Sequence, residues 1–517
     1  MSSRRSSRTL LLIFLFSAAA SLALGIGWIF RVEVATRFSA WMPRPFSISV
    51  DCWFKNTTGR KAECFHIFTR SNHANPWSST IRLPVVRFSP EDVIQESDPI
   101  LFLPGGPGHP GLSIPSVTSK IWKLRFDTAR WLDNRAVIVF DYRGTGSASP
   151  SLACPKLDNP MIGRRWREVL SNSLRECKEI VEEDSIDLSD YNTSEVSADA
   201  IDIQTALGIQ TWNLWAESYG TRVAFDYLRR SSEGIRSVIL AGTYPPNAGD
   251  WRYRSSGKFL MLLDRLFQVC TNDSACQSAH PQVAKKFWNA YDYLGSNNVT
   301  LHVEKVWPKR EIVEITLDEI LFLDLLYYQL ASKLGLSHIP NYISAVAEGD
   351  LVQLESLLST YLADITIEFV TVLQLFAVNC NDLGSIDSQS YQTKQNANRH
   401  FAEWTVDWSV CNQFQHSAGG ALNSSKFQSS VPALLLAGEW DPATPLEWAH
   451  LGVEYFSEAT LVVLPARSHD ILASKCAQSI AREFLRSPSV SPDTSCIGHS
   501  EGKIEFTNSR IGLTVVR

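Results

Sequence analysis

The sequence predicts an α/β fold with a mostly parallel central sheet and an inserted helical cap, and three observations carry that reading. Short apolar runs bounded by turn residues recur along the chain: "PILFLPGG" from Pro99, "AVIVFDYRG" from Ala136, "TWNLWAES" from Thr211, "SVILAGT" from Ser237, "VPALLLAGEWD" from Val431 and "ATLVVLPARSHD" from Ala459. Several lack polar alternation, which is how strands buried on both faces of a parallel sheet read. Helical text such as "TRVAFDYLRR" and "CAQSIAREFLRS" lies between or after them. From residue 246 to 430 the strand signals stop and amphipathic helical text takes over, as in "SSGKFLMLLDRLFQVC" and "LDEILFLDLLYYQLASKL". The core therefore reads as two parts, 31–245 and 431–517, on either side of a cap at 246–430.

Composition agrees with this size of fold. At 517 residues, 44% hydrophobic and 20% charged, the chain is globular material with room for one large core and an inserted domain. A net charge of -6 gives no reason to expect a nucleic-acid partner. No repeat of 20 to 50 residues is apparent, which excludes a solenoid.

Residues 1–30 read as a signal peptide or membrane anchor. "MSSRRSSR" carries three arginines, and the run from Thr9 to Phe30 has no charge. At ~1.5 Å per residue that run is long enough to cross a bilayer, and the arginines keep its start on the cytoplasmic side. The small residues of "SAAASLA" suit signal peptidase equally, so cleavage and retention both stand. Either way the rest of the chain is extracytoplasmic, secreted or in the periplasm or a lumen.

The ten cysteines fit export: none forms a C-x-x-C pair, and an oxidised framework is the better reading. Connectivity does not follow from spacing. Pairing neighbours in sequence gives Cys52–Cys64, Cys154–Cys177, Cys270–Cys276, Cys380–Cys411 and Cys476–Cys496. No clustered His and Cys offer a metal site, so no metal is expected. N-x-S/T sequons occur at Asn56, Asn192, Asn272, Asn298 and Asn423.

Chemistry in such sheets gathers at the carboxyl ends of strands. In "NLWAESYGTR" a strand breaks into a helix at Ser218. A serine there either caps the helix or forms a nucleophile elbow, a strained turn that needs small residues two before and two after it. Ala216 and Gly220 meet that need. Asp441, after "LLLAGEW", and His469, after "VVLPARS", follow later strands, and the order Ser, Asp, His is that of an α/β-hydrolase triad. Glu439 and Asp470 are the alternative acids. The loop "LPGGPGHPG" lets backbone amides approach a developing oxyanion. Pro107 has no N–H, so Gly106 is the expected donor from this loop and Tyr219 N–H the second. A phosphate loop is excluded because no Lys-Ser/Thr follows the glycines, and His109 reads as structural.

"LPGGPGHPG", "FDYRGTGSASP", "WAESYGT", "AGEWDPATP" and "ARSHD" together resemble the S33 peptidases of the prolyl iminopeptidase and tripeptidyl aminopeptidase group. The resemblance runs from about Asp51 to Cys496 and takes in the Cys52/Cys64 pair and a C-terminal section like that of the tripeptidyl aminopeptidases. Pro104, Tyr142 and Ala216 depart from the commoner His, Gln and Gly. The resemblance implies an α/β-hydrolase fold, a helical cap, no cofactor, and a peptide substrate whose free amine is held by a carboxylate. Asp382 and Glu217 are the candidates for that role. The implied activity is an aminopeptidase releasing short N-terminal units through a Ser218-His469-Asp441 acyl-enzyme route. The alternative is a carboxylesterase using the same three residues.

Overall fold

The computed structural model describes residues 45–91, 98–113, 115–132, 134–157, 163–249, 255–305, 310–367, 370–384, 404, 406–414, 425–500 and 502–506. The apolar run from Thr9 to Phe30 and the sequon at Asn423 lie outside them. Among the described residues no helix is long and apolar enough to cross a membrane.

The core is one nine-stranded sheet in the order β1-β2-β3-β5-β4-β6-β7-β10-β11. Its first three strands, β1 (Phe46–Val50), β2 (Lys61–Arg70) and β3 (Thr80–Ser89), are antiparallel. The other six are parallel to one another: β4 (Ile100–Leu103), β5 (Val137–Phe140), β6 (Trp212–Glu217), β7 (Ile235–Ala241), β10 (Ala433–Gly438) and β11 (Ala459–Leu464). Their apolar text has the expected cause, since alternate residues serve two separate cores. Leu101, Ile138, Leu214, Leu240 and Leu435 face one layer of helices, and Phe102, Val139, Trp215, Ile239 and Leu436 face the other.

Helices α1 (Thr118–Thr128), α2 (Gly163–Glu183), α3 (Thr193–Ala206) and α4 (Tyr219–Arg230) precede the cap. Asn192 caps α3 by accepting from Glu195 N and is buried, so its sequon is closed to modification in the folded chain, whereas Asn56, Asn272 and Asn298 are exposed. The cap is built from α5 (Ser255–Asn272), α6 (Ser274–Ala279), α7 (Val283–Ser296), α8 (Glu319–Leu330), α9 (Lys333–Glu348) and α10 (Leu351–Ile367) around its own apolar cluster.

Two features depart from the expected helical insertion. A hairpin of β8 (Val299–Lys305) and β9 (Glu311–Leu317) lies inside the cap, because Leu301 and Val303 alternate inward against its helices. The helix α11 (Val372–Leu383) falls well before residue 431, yet its Val378 packs with α3 and α4 on the core sheet. The chain then returns to β10, α12 (Leu446–Val453), β11 and α13 (Lys475–Arg486). Five disulfides close, Cys52–Cys64, Cys154–Cys177, Cys270–Cys276, Cys380–Cys411 and Cys476–Cys496, and no cysteine among the described residues is free.

Candidate active site

Ser218 sits between β6 and α4 with φ 52° and ψ -121°, a left-handed conformation that costs a non-glycine residue energy and persists only where neighbours enforce it. The enforcement is visible. Ser218 N–H donates to Ala241 O at 2.9 Å, while its carbonyl accepts from Thr221 N–H at 2.9 Å and Thr221 Oγ1 at 2.6 Å. Gly220 is obligatory because a Cβ there would stand 2.1 Å from the Leu103 carbonyl oxygen. The serine side chain makes no helix-capping hydrogen bond, which leaves the elbow as the account of its place.

Asp441 follows β10 and is buried, with four donors on its two oxygens. Oδ1 accepts from Ala443 N–H and Thr444 N–H, both at 2.8 Å, and Oδ2 accepts from Thr444 Oγ1 and His469 Nδ1, both at 2.7 Å. Thr444 was not singled out from sequence, although Asp-Pro-x-Thr is the text of a side-chain-stabilised turn. His469 follows β11 and packs over Gly242, next to the Ala241 carbonyl that holds Ser218. Asp441, His469 and Ser218 therefore converge on the carboxyl ends of β6, β7, β10 and β11.

The two alternative acids are engaged elsewhere. Glu439 pairs with Arg265 of α5 at 2.5 Å, and that guanidinium lies 4.1 Å from the Trp440 ring centroid. Asp470 accepts from Lys333 N–H and Arg467 Nη1, each at 3.1 Å. Ser468 Oγ donates to Leu330 O at the end of α8 and bonds Trp440 O at 3.0 Å. Cap and core thus meet on the loops that carry Asp441 and His469.

Burial works against a charge on His469, but the carboxylate of Asp441, aided by Glu217 and Asp470, outweighs it and raises the imidazole above its ordinary value. A base must be neutral to accept a proton, so if His469 serves as one, activity falls with decreasing pH at a midpoint above the ordinary ~6.5 of His. Replacing Glu217 by Gln removes one of the raising charges and should move that midpoint down. A kcat/KM profile against pH for both forms checks this, and a wild-type midpoint below the ordinary value would contradict it.

The glycine loop lies against the elbow. A Cβ on Gly105 would be 3.3 Å from Ser218 Cβ, whereas one on Gly106 would meet Gly108 and His109 nitrogens of its own loop. Gly105 is thus the glycine that touches Ser218, a distinction the run of glycines hides in sequence. Gly106 keeps φ 122° before Pro107. The loop is clasped at several points: Gly108 O accepts from Thr371 N–H at the start of α11 at 2.9 Å, Gly111 O from Trp122 Nε1 at 3.1 Å, and Leu112 N–H donates to Asp141 Oδ1 at 2.8 Å. Burial pushes the Asp141 carboxyl up to about 7 despite the Ser147 and Leu112 amides that favour its charge. Tyr219 opens α4, where first-turn N–H groups lack intrahelical acceptors and point outward.

The two expected amine-binding carboxylates fare differently. Asp382 is buried; Oδ1 accepts from Thr193 N–H at 3.0 Å, Oδ2 from Thr193 Oγ1 at 2.5 Å, and Arg222 Nε lies 3.6 Å away. It docks α11 on α3, and the amine-binding expectation does not carry over to it. Glu217 is 27% exposed beside Ser218, with Oε1 accepting from Trp215 Nε1 at 3.1 Å and Oε2 3.5 Å from Arg125. Among the described residues no group of His, Cys, Asp and Glu could hold a metal ion.

Residues 98–299 match the family model described as alpha/beta hydrolase fold, and residues 398–496 match one described as TAP-like protein. A tripeptidyl aminopeptidase of Streptomyces coelicolor is 28% identical over 221 residues, 40% of this chain and 39% of that protein. Serine protease Hip1 of Mycobacterium tuberculosis is 27% identical over 191 residues, 34% of this chain and 35% of that protein. The chain thus aligns with well under half the length of these relatives. A proline iminopeptidase structure from Mycobacterium smegmatis superposes with a TM-score of 0.33 at 16% identity, over 79% of this chain and 96% of that one. From its sheet, its elbow and the two family models, the chain is an α/β-hydrolase-fold protein with a TAP-like section, a grouping consistent with the S33 peptidases.

Proposed function

We propose that the protein is an exported serine peptidase that releases short units from peptides with a free N-terminus. The observation that carries this is the Asp441–His469 hydrogen bond of 2.7 Å, made at the strand ends where Ser218 is held left-handed. His469 takes the Ser218 proton, Asp441 fixes the imidazole with Nε2 free to accept it, and Ser218 attacks the carbonyl. The oxyanion meets the amides of Gly106 and Tyr219, with Gly105 leaving the approach open. His469 then protonates the leaving amine, and water attacks the acyl-enzyme by the reverse proton path.

The peptide substrate is supported by the names of the two relatives. Glu217 supports the free amine, being a partly exposed carboxylate next to the nucleophile. A carboxylesterase reading is favoured by one fact: both Glu217 oxygens already have partners in Trp215 and Arg125. Export is supported by the five disulfides, which belong to an oxidising compartment.

The deciding experiment compares one chromogenic peptide amide with its N-terminus free and acetylated. A hydrogen bond to a charged group is worth about 1.5–3 kcal/mol, so acetylation is expected to lower kcat/KM about 10- to 100-fold. Equal rates on the two forms would remove the aminopeptidase reading and leave Ser218, His469 and Asp441 in place.

A further inference from the structure

We propose that Tyr142 is a positioning residue for the oxyanion hole, holding the loop that carries Gly105 and Gly106 in register with Tyr219; this rests on the acyl-transfer reading of Ser218. Tyr142 follows β5 in "FDYRG" and has none of its side chain exposed. Its hydroxyl donates to Pro104 O at 3.0 Å. Because the peptide unit is planar, fixing that carbonyl also fixes the plane of the Gly105 N–H, and so the approach of the next amide in the loop, that of Gly106. The other clasps on this loop act at residues 108 to 112, whereas Tyr142 acts at the end beside Ser218.

The same ring reaches the second half of the hole. Tyr142 and Tyr219 meet edge to face, with centroids 6.0 Å apart and an interplanar angle of 85°. Tyr219 is anchored at its far end, where its hydroxyl bonds Thr193 Oγ1 at 2.9 Å, the group that also donates to Asp382. One buried side chain therefore touches the Pro104 carbonyl, two residues before Gly106, and the ring of Tyr219. Burial, and secondarily the neighbouring Tyr219, raise the Tyr142 hydroxyl well above its ordinary value, so it keeps its proton and acts as a donor throughout the working pH range.

Tyr142→Phe tests this, since it keeps the ring and deletes only the donor. Misplacement of a catalytic group by a fraction of an ångström, short of losing a donor outright, is expected to cost about 10- to 100-fold. That loss should appear equally in kcat and kcat/KM per titrated active site, with KM within about twofold. Affinity for a peptidyl trifluoromethyl ketone, whose adduct places an oxyanion in the same hole, should weaken by the same factor. Substrate Kd measured in a Ser218→Ala background should not change when Tyr142→Phe is added. A Tyr142→Phe enzyme with unchanged kcat beside an inert Ser218→Ala enzyme overturns the proposal. So does a loss that disappears once rates are normalised to titrated sites, because Tyr142 then serves folding alone. Turnover by Ser218→Ala itself would instead overturn the acyl-transfer reading, and this proposal with it.

Discussion

Ser218→Ala is expected to abolish turnover, by about 10⁵-fold or more, while leaving the protein folded. Removing the nucleophile of a serine triad leaves only the residual catalysis of the oxyanion hole and binding. The fold should survive because the elbow is enforced from outside the side chain, by Ala241 O, Thr221 and the close packing of Gly220 on Leu103. Losing Oγ also leaves the backbone of residue 218 with every partner it has now. Steady-state kinetics on an amide substrate, with thermal unfolding in parallel, check both halves. A variant keeping more than a few per cent of activity would take Ser218 out of the mechanism.

Asp441→Asn should lose about 10⁴-fold in kcat, the cost of presenting His469 with the wrong tautomer. An amide at this position donates through one end. It cannot accept from His469 Nδ1 while also accepting all of the bonds that Ala443 and Thr444 now give the carboxylate. Glu439→Gln is the matched control, two residues away on the same loop. Its carboxylate faces Arg265 across a partly exposed ion pair, a class of contact worth about 0–1 kcal/mol. Only a few-fold change is expected there. If the two variants exchange these outcomes, the acid of the triad is Glu439.

The parts of the site that were legible in sequence share a cause. β6, β10 and β11 are short strands in a parallel sheet, and the polar residue that ends each is marked by the change of composition itself. The setting of Asp382 was hidden for the opposite reason. Its partner Thr193 lies 189 positions away, and no local pattern reports a contact of that length. The hairpin β8–β9 alternates clearly, but its two strands are short and framed by helices. Pro84 lies inside β3, where a proline argues against a strand, and its carbonyl nonetheless accepts from Asp141 N–H at 3.3 Å. Tyr142 was visible only as a departure from a commoner glutamine, and the reason for it lay in the carbonyl of Pro104.

The helices between β7 and β10 interrupt the sheet, which separates Ser218 from Asp441 and His469 in time as well as along the chain. A chain made at about 5–20 residues per second completes the elbow roughly ten to fifty seconds before the loop that bears the histidine. During that interval the nascent polypeptide carries Ser218 with neither Asp441 nor His469 in place. The Asp441–His469 hydrogen bond forms only once the loops after β10 and β11 have been made, so the order of the chain sets when the site can be completed.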